Sequence, residues 1–155
     1  MTMPPDWTGT EQYEFVTLIA GGQSFCIEIT QIREIRRWTP VTVLPHAPES
    51  VLGVMNLRGA VIPIIDLAAR LGFGRIEPGP RHVVIIVALA QKTVGLLVDA
   101  VSEIITIRGD MVRETPVLQD DAATRFIQGV IALEKDMTRI VDLGTVIPTT
   151  VKEAA

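Results

Sequence analysis

The side chains that could carry chemistry are few and scattered. His46 and His82 are the only histidines, and neither has a Cys, Asp or Glu at the spacing of a metal-ligand set. The single cysteine, Cys26, lies in an apolar run with no base beside it, which marks a buried small hydrophobe and excludes an internal disulfide. Asp120-Asp121 places two carboxylates together, but adjacent exposed aspartates are usually solvated rather than an acid–base pair. Gly72-Phe73-Gly74 lacks the Lys and Ser/Thr that complete a phosphate loop, so a linker is the simpler reading. No nucleophile–base pair and no GxSxG or GxGxxG motif is present. These absences point away from an enzyme, a metal and a cofactor.

One charge stands out. Gly53-Val54-Met55-Asn56-Leu57-Arg58-Gly59-Ala60-Val61-Ile62-Pro63-Ile64-Ile65-Asp66-Leu67 reads as two β-rich arms around a short Gly-containing turn. Arg58 is a fixed cation in that turn, between strands that must be buried. Pro63 predicts an edge position or a bulge for the second arm.

The elements that must position Arg58 are short strands. Residues 13–20 and 23–29 form a hairpin around Gly21-Gly22, and Thr30 is expected to cap a short helical turn. Residues 34–38 are extended, 41–50 are a short strand leading into a Pro-rich loop, and 66–71 a short helix stopped by Gly72. Residues 72–80 hold three Gly and two Pro, the clearest break in the chain. Residues 83–89, a continuous β-branched run, read as a strand buried on both faces and paired with 92–98. Extended chain at 101–107, a long polar loop at 108–123 with a short strand at 111–113, and a hairpin of 126–133 with 137–141 complete the pattern.

These elements repeat. Residues 15–36 overlay 84–105 without a gap at an offset of 69, placing Thr30 on Asp99, two capping residue types, and Glu34 on Glu103. Residues 53–67 overlay 129–143 at an offset of 76, with identities at Gly53/Gly129, Val54/Val130, Leu57/Leu133, Asp66/Asp142 and Leu67/Leu143. Asp66 and Asp142, each before a Leu, read as helix N-caps. Arg58 falls on Glu134, so the hairpin does not require it, and Asn56 and Arg58 are additions to a shared framework. Each half has too few strands for a flat sheet with both faces covered, which predicts a mostly β fold of two small barrels of about five strands, with short helices. The lobes, residues 13–80 and 81–146 of one domain spanning 11–150, would be related by approximate two-fold symmetry, with an apolar seam and a groove between them; residues 1–10 and 149–155 are expected to be flexible.

Bulk properties narrow the partners. The 155 residues carry a net charge of −4 and no basic cluster beyond Arg36-Arg37, which disfavours nucleic acid and anionic lipid. The chain is 48% apolar with a mean hydropathy of +0.37, rich enough that some apolar surface is expected under a partner. No apolar run approaches the roughly 18 residues of a spanning helix, and the start has no signal-peptide pattern, so a soluble cytoplasmic protein is expected.

Ile32-Arg33-Glu34-Ile35, Pro45-His46-Ala47-Pro48, Val51-Leu52-Gly53-Val54-Met55-Asn56-Leu57-Arg58-Gly59 and Val61-Ile62-Pro63-Ile64-Ile65-Asp66-Leu67 together resemble the CheW family of chemotaxis coupling proteins. The second half, at residues 83–87 and 94–103, looks like the family's continuation, so the likeness spans residues 15–143. The resemblance implies SH3-like barrels and a non-catalytic scaffold, monomeric alone, that joins the cytoplasmic tips of transmembrane chemoreceptors to the regulatory domain of a histidine kinase, forming rings with it under the receptor array. It implies a receptor-facing set of Ile32, Asn56, Arg58 and Val83 and a kinase-facing set of Glu34, Ile35, Val41 and Gly53, with Arg58 and Glu34 flanking the groove as a charge pair. A paralogous coupling protein for twitching motility or another output, a small-molecule-binding barrel and a detached kinase regulatory domain are the competing readings.

Overall fold

The computed structural model describes Trp7 and residues 9–115 and 122–148. The expected flexible tail at 149–155, most of the leader and the Asp120-Asp121 pair lie outside the described residues.

Among the described residues, eleven strands and two short α-helices follow in chain order: β1 (Gln12–Ala20), β2 (Gln23–Glu28), β3 (Ile32–Arg37), β4 (Val51–Leu57), β5 (Ala60–Asp66), α1 (Leu67–Arg70), β6 (Val83–Leu89), β7 (Lys92–Val98), β8 (Ala100–Arg108), β9 (Val112–Arg113), β10 (Ile127–Ala132), β11 (Met137–Val141) and α2 (Leu143–Val146). Gly21 and Gly22 both adopt positive φ in the β1–β2 turn, the backbone that a two-residue hairpin of right-handed twist needs. The middle of β6 is fully buried, with Val84 to Val87 at most 1% exposed, as its unbroken apolar run predicts.

The strands form two sheets, of order β8-β1-β2-β11-β10-β9 and β3-β6-β7-β5-β4. Under the repeat, β1, β2, β3, β4 and β5 correspond to β6, β7, β8, β10 and β11, and the two orders become the same order. The registers recur as well. Phe15↔Ile105 has its equivalent in Val84↔Arg36, the bulge beside Thr17 has its equivalent between Ile32 and Glu34, and Cys26↔Ile140 has its equivalent in Gly95↔Ile64.

The sheets do not divide the chain near residue 80. Residues 12–28 pair with 100–141, and residues 32–98 make up the other sheet, so each sheet takes a hairpin from one half and its remaining strands from the other. Gly72-Phe73-Gly74 is therefore no linker between lobes: it joins α1 to β6 within one sheet, while Phe73 reaches across to Phe25 at 6.1 Å between ring centroids. The apolar core agrees, since Leu18, Phe25, Phe126 and Val146 belong to the same cluster as Ile64, Ile85 and Leu96. A second cluster around Phe15, Cys26 and Ile140 fills the six-stranded side alone.

Local expectations fare unevenly. Asp66 caps α1 by accepting from the Ala69 N–H at 3.1 Å, and Asp142 caps α2 through the Gly144 N–H at 2.9 Å. Asp66 also accepts the Ile76 N–H at 2.7 Å, tying down the loop before β6; burial raises its carboxyl above the usual value, against the lowering effect of these N–H groups. Thr30 is not a cap: it lies inside a three-residue 3₁₀ turn whose N-cap, Glu28, makes no side-chain cap bond. Its counterpart Asp99 caps across the molecule instead, accepting the Gly21 N–H at 3.0 Å. β5 is interior rather than an edge; Pro63 is tolerated because the parallel ladder to β7 begins one residue later, at Ile64. The expected strand in 41–50 reduces to a single bridge, Thr42↔Val54, and a 3₁₀ segment, Ala122–Phe126, stands at the end of the expected long loop.

Candidate functional site

The β4–β5 hairpin closes after the pair Leu57↔Ala60, leaving Arg58 and Gly59 as its two-residue turn. Both have positive φ, 51° and 89°. Gly59 takes this backbone freely, whereas a side chain there costs about 1–2 kcal/mol. Asn56 holds the turn closed, its Oδ1 accepting the Gly59 N–H at 2.8 Å.

From this position the Arg58 guanidinium forks onto Glu34, with Nη2 3.1 Å from Oε1 and Nη1 3.5 Å from Oε2. Arg36 approaches the same carboxylate, its Nη1 3.6 Å from Oε1. Glu34 lies on β3 and Arg58 in the turn after β4, the two terminal strands of the five-stranded sheet. The ion pair therefore clasps the free ends of the sheet to each other, where no ladder joins them.

Magnitudes show what this clasp is for. The Arg58 side chain is 70% exposed and that of Glu34 28%, and exposed pairs contribute about 0–1 kcal/mol. That is no more than the backbone strain at Arg58 takes away. Arg58 adds nothing net to folding, so a residue held at a strained turn with its cation turned to solvent is best understood through what it presents.

The other sequence-expected residues fall around this seam in two groups. Glu34 and Arg58, assigned to different partners but expected to form a charge pair, are in direct contact, and Asn56 closes the turn that carries Arg58. Gly53 and Val41 meet at the β4 edge: a Cβ on Gly53, at φ +153°, would lie 2.9 Å from Val41 Cγ2 and 2.2 Å from the Thr42 carbonyl oxygen. Ile35 is 45% exposed on β3. Ile32 and Val83, both packed partly against the core, stand at opposite ends of the β3–β6 ladder, as Ile32↔Val87 and Arg37↔Val83 show.

Sequence reasoning passed over three features. Arg36 joins the ion pair, and the alternation of β3 was the signal for it, since residues two apart share a face. His82 meets Asp99 across the chain, Nε2 to Oδ1 at 3.6 Å, while its Nδ1 accepts the Gly79 N–H at 2.9 Å. Exposed Val61, Ile104 and Met137 went unmarked, although the repeat overlays Ile104 on Ile35 and Met137 on Val61. Among the described residues no group of three or more His, Cys, Asp or Glu could hold a metal ion, and no helix is long and apolar enough to cross a membrane.

The described residues form a duplicated two-sheet β fold that presents a guanidinium at a sheet seam. The chain belongs to the CheW family: the model of the CheW-like domain matches residues 14–150. It is 48% identical over 142 residues to the chemotaxis protein CheW of Rhizobium meliloti, and 46% identical over 142 residues to the probable chemotaxis protein CheW of Rhizobium etli, in each case covering 92% of both chains. The crystal structure of the scaffolding protein TtCheW from Thermoanaerobacter tengcongensis superposes with a TM-score of 0.83 at 29% identity, covering 92% of this chain and 97% of that one.

Proposed function

We propose that this protein is a non-catalytic cytoplasmic scaffold that couples the tips of chemoreceptors to a chemotaxis histidine kinase at a membrane-associated array. The observation that carries the reading is the Arg58–Glu34 clasp, an ion pair of little value to folding, held by a strained turn, in a chain that belongs to the CheW family along nearly its whole length. Asn56, Arg58, Ile32 and Val83 form the receptor-facing set and Glu34, Ile35, Val41 and Gly53 the kinase-facing set. Gly53 contributes by letting the chain at Thr42 lie close, which seats Val41 beside β4. Since Arg58 grips Glu34, the two faces share a charge pair, and docking at one is felt by the other through a single side-chain contact.

Co-sedimentation of the purified protein with a receptor signalling fragment and the kinase tests the proposal. A ternary complex at micromolar concentration is expected, with at least one contact weakened in Arg58→Ala. A protein that binds neither partner would overturn it.

A further inference from the structure

Two cations meet at one aromatic ring where the helices of the two halves come together. The Arg70 guanidinium lies 4.8 Å and the Arg125 guanidinium 4.6 Å from the centroid of the Phe126 ring. Folding accounts for Arg70, the last residue of α1. Its Nε donates to the Val146 carbonyl at 2.7 Å and its Nη2 to the Thr145 carbonyl at 3.2 Å, which satisfies the end of α2 and ties the two helices to each other. Folding does not account for Arg125. It is exposed in the 3₁₀ segment before β10, and among the described residues no ion pair or hydrogen bond engages its guanidinium. Its charge instead opposes that of Arg70, whose proton affinity is lowered by burial and then by the Arg125 cation.

The repeated framework does not call for this pair. The Asp66 N–H donates to the Ser50 carbonyl and the Asp142 N–H to the Phe126 carbonyl, each at 2.7 Å, which sets Phe126 on Ser50 and Arg125 on Glu49. Arg70 and Val146 likewise correspond, each ending its helix. In the first half Glu49 pairs with Arg75 at 3.4 Å. The second half carries two like charges on a ring instead, in a chain of net charge −4.

We propose that Arg70 and Arg125 form a recognition site for an acidic segment of a partner protein. The planar fork of Arg125 takes a side-chain carboxylate through two parallel N–H bonds, and Arg70 adds the donors of Nη1, which α2 does not use. The α2 carbonyls hold Arg70 in place before the anion arrives, so little side-chain freedom is lost on binding. The anion also turns the opposition of two neighbouring cations into attraction. Phe126 is 2% exposed, so the site has no open aromatic face on which a nucleobase could stack. None of these residues belongs to the receptor-facing or kinase-facing set, and the test contains neither partner.

Titration of the full chain at low salt with a capped tetra-glutamate peptide, followed by amide chemical shifts, is expected to move the signals of residues 123–127 and 145–147. The affinity should fall at high salt. Arg125→Glu should lower it about tenfold or more, because a like charge then faces the peptide. Arg33→Glu, the same charge change at an exposed position on β3, should leave it unchanged. Inorganic phosphate should compete only at much higher concentration than the peptide, and thermal melting of each variant confirms its fold. The proposal would be overturned by shifts absent from these residues, by equal losses in the two variants, or by phosphate competing as well as the peptide. It would also be overturned if the peptide bound only after Asp120→Asn/Asp121→Asn, since the chain's own carboxylates would then fill the site.

Discussion

Replacing Arg58 separates what the turn contributes to folding from what it presents. In Arg58→Ala the forked contact to Glu34 at 3.1 and 3.5 Å is lost. With the cation 70% exposed, this removes about 0–1 kcal/mol. For a chain of this size, 1 kcal/mol moves the thermal midpoint by about 2–4 °C. Arg58→Gly loses the same contact but also relieves the positive-φ backbone, so it should be more stable than Arg58→Ala by on the order of 1 kcal/mol. Urea unfolding of the three proteins reads these differences, and sedimentation with the receptor fragment and the kinase reads binding. The expected result is a narrow spread in stability, with glycine above alanine, and a partner contact weakened in both variants. A loss above about 3 kcal/mol in Arg58→Ala would make the residue a structural one. Equal stability of the glycine and alanine variants would refute the strain argument, and unchanged binding in both would remove Arg58 from recognition.

Three further outcomes follow from the fold. Fragments 1–80 and 81–155, produced separately, should each stay unfolded by circular dichroism because each lacks ladder partners held by the other, and folded signal should appear when they are refolded together. Asp66, whose carboxyl burial raises above its unfolded value, stabilises fully at pH below the ordinary carboxylate range and loses that contribution as pH rises through the raised value. Asp66→Asn should therefore be less stable than the wild type in acid, by a margin in urea midpoint that narrows as pH rises; a constant margin would contradict this. Burial pushes the Cys26 thiol up to about 12, so thiol reagents should label it in mildly alkaline solution only at the rate of unfolding, and rapid labelling of the native protein would show that the core around Phe15 opens.

The repeat was legible in the sequence down to single residues, because equivalent strands bury equivalent positions and the chain registers one copy on the other without gaps. Partner choice was not legible for the same reason. When two halves carry equivalent strands, β3 can pair with its own half's hairpin or with the other half's, and the local pattern is satisfied either way. The Gly and Pro of residues 72–80 suggested a boundary, but they mark a tight exit from α1 rather than a gap between lobes. Thr30 illustrates a different limit, since a 3₁₀ turn of three residues has few free N–H groups for a cap to serve. At the seam, Arg58 was conspicuous because its counterpart is Glu134, and Glu34 came from the family likeness. Arg36 became visible only once the alternation of β3 was taken into account.

The exchange of strands has a mechanical consequence. A protein with two contact faces joined by a flexible linker would yield when its partners are pulled apart, as the linker extends before any load is shared. Here the chain crosses between the sheets, and β2 and β7 are each locked to a strand of the opposite half by a parallel ladder. Tension applied between the two sheets falls on the chain crossings after β2 and β7, and each of these strands is held by hydrogen-bonded neighbours on both sides. The distance and angle between the two faces are thereby held stiff, and a displacement at one face reaches the other as rigid-body movement instead of being absorbed in slack.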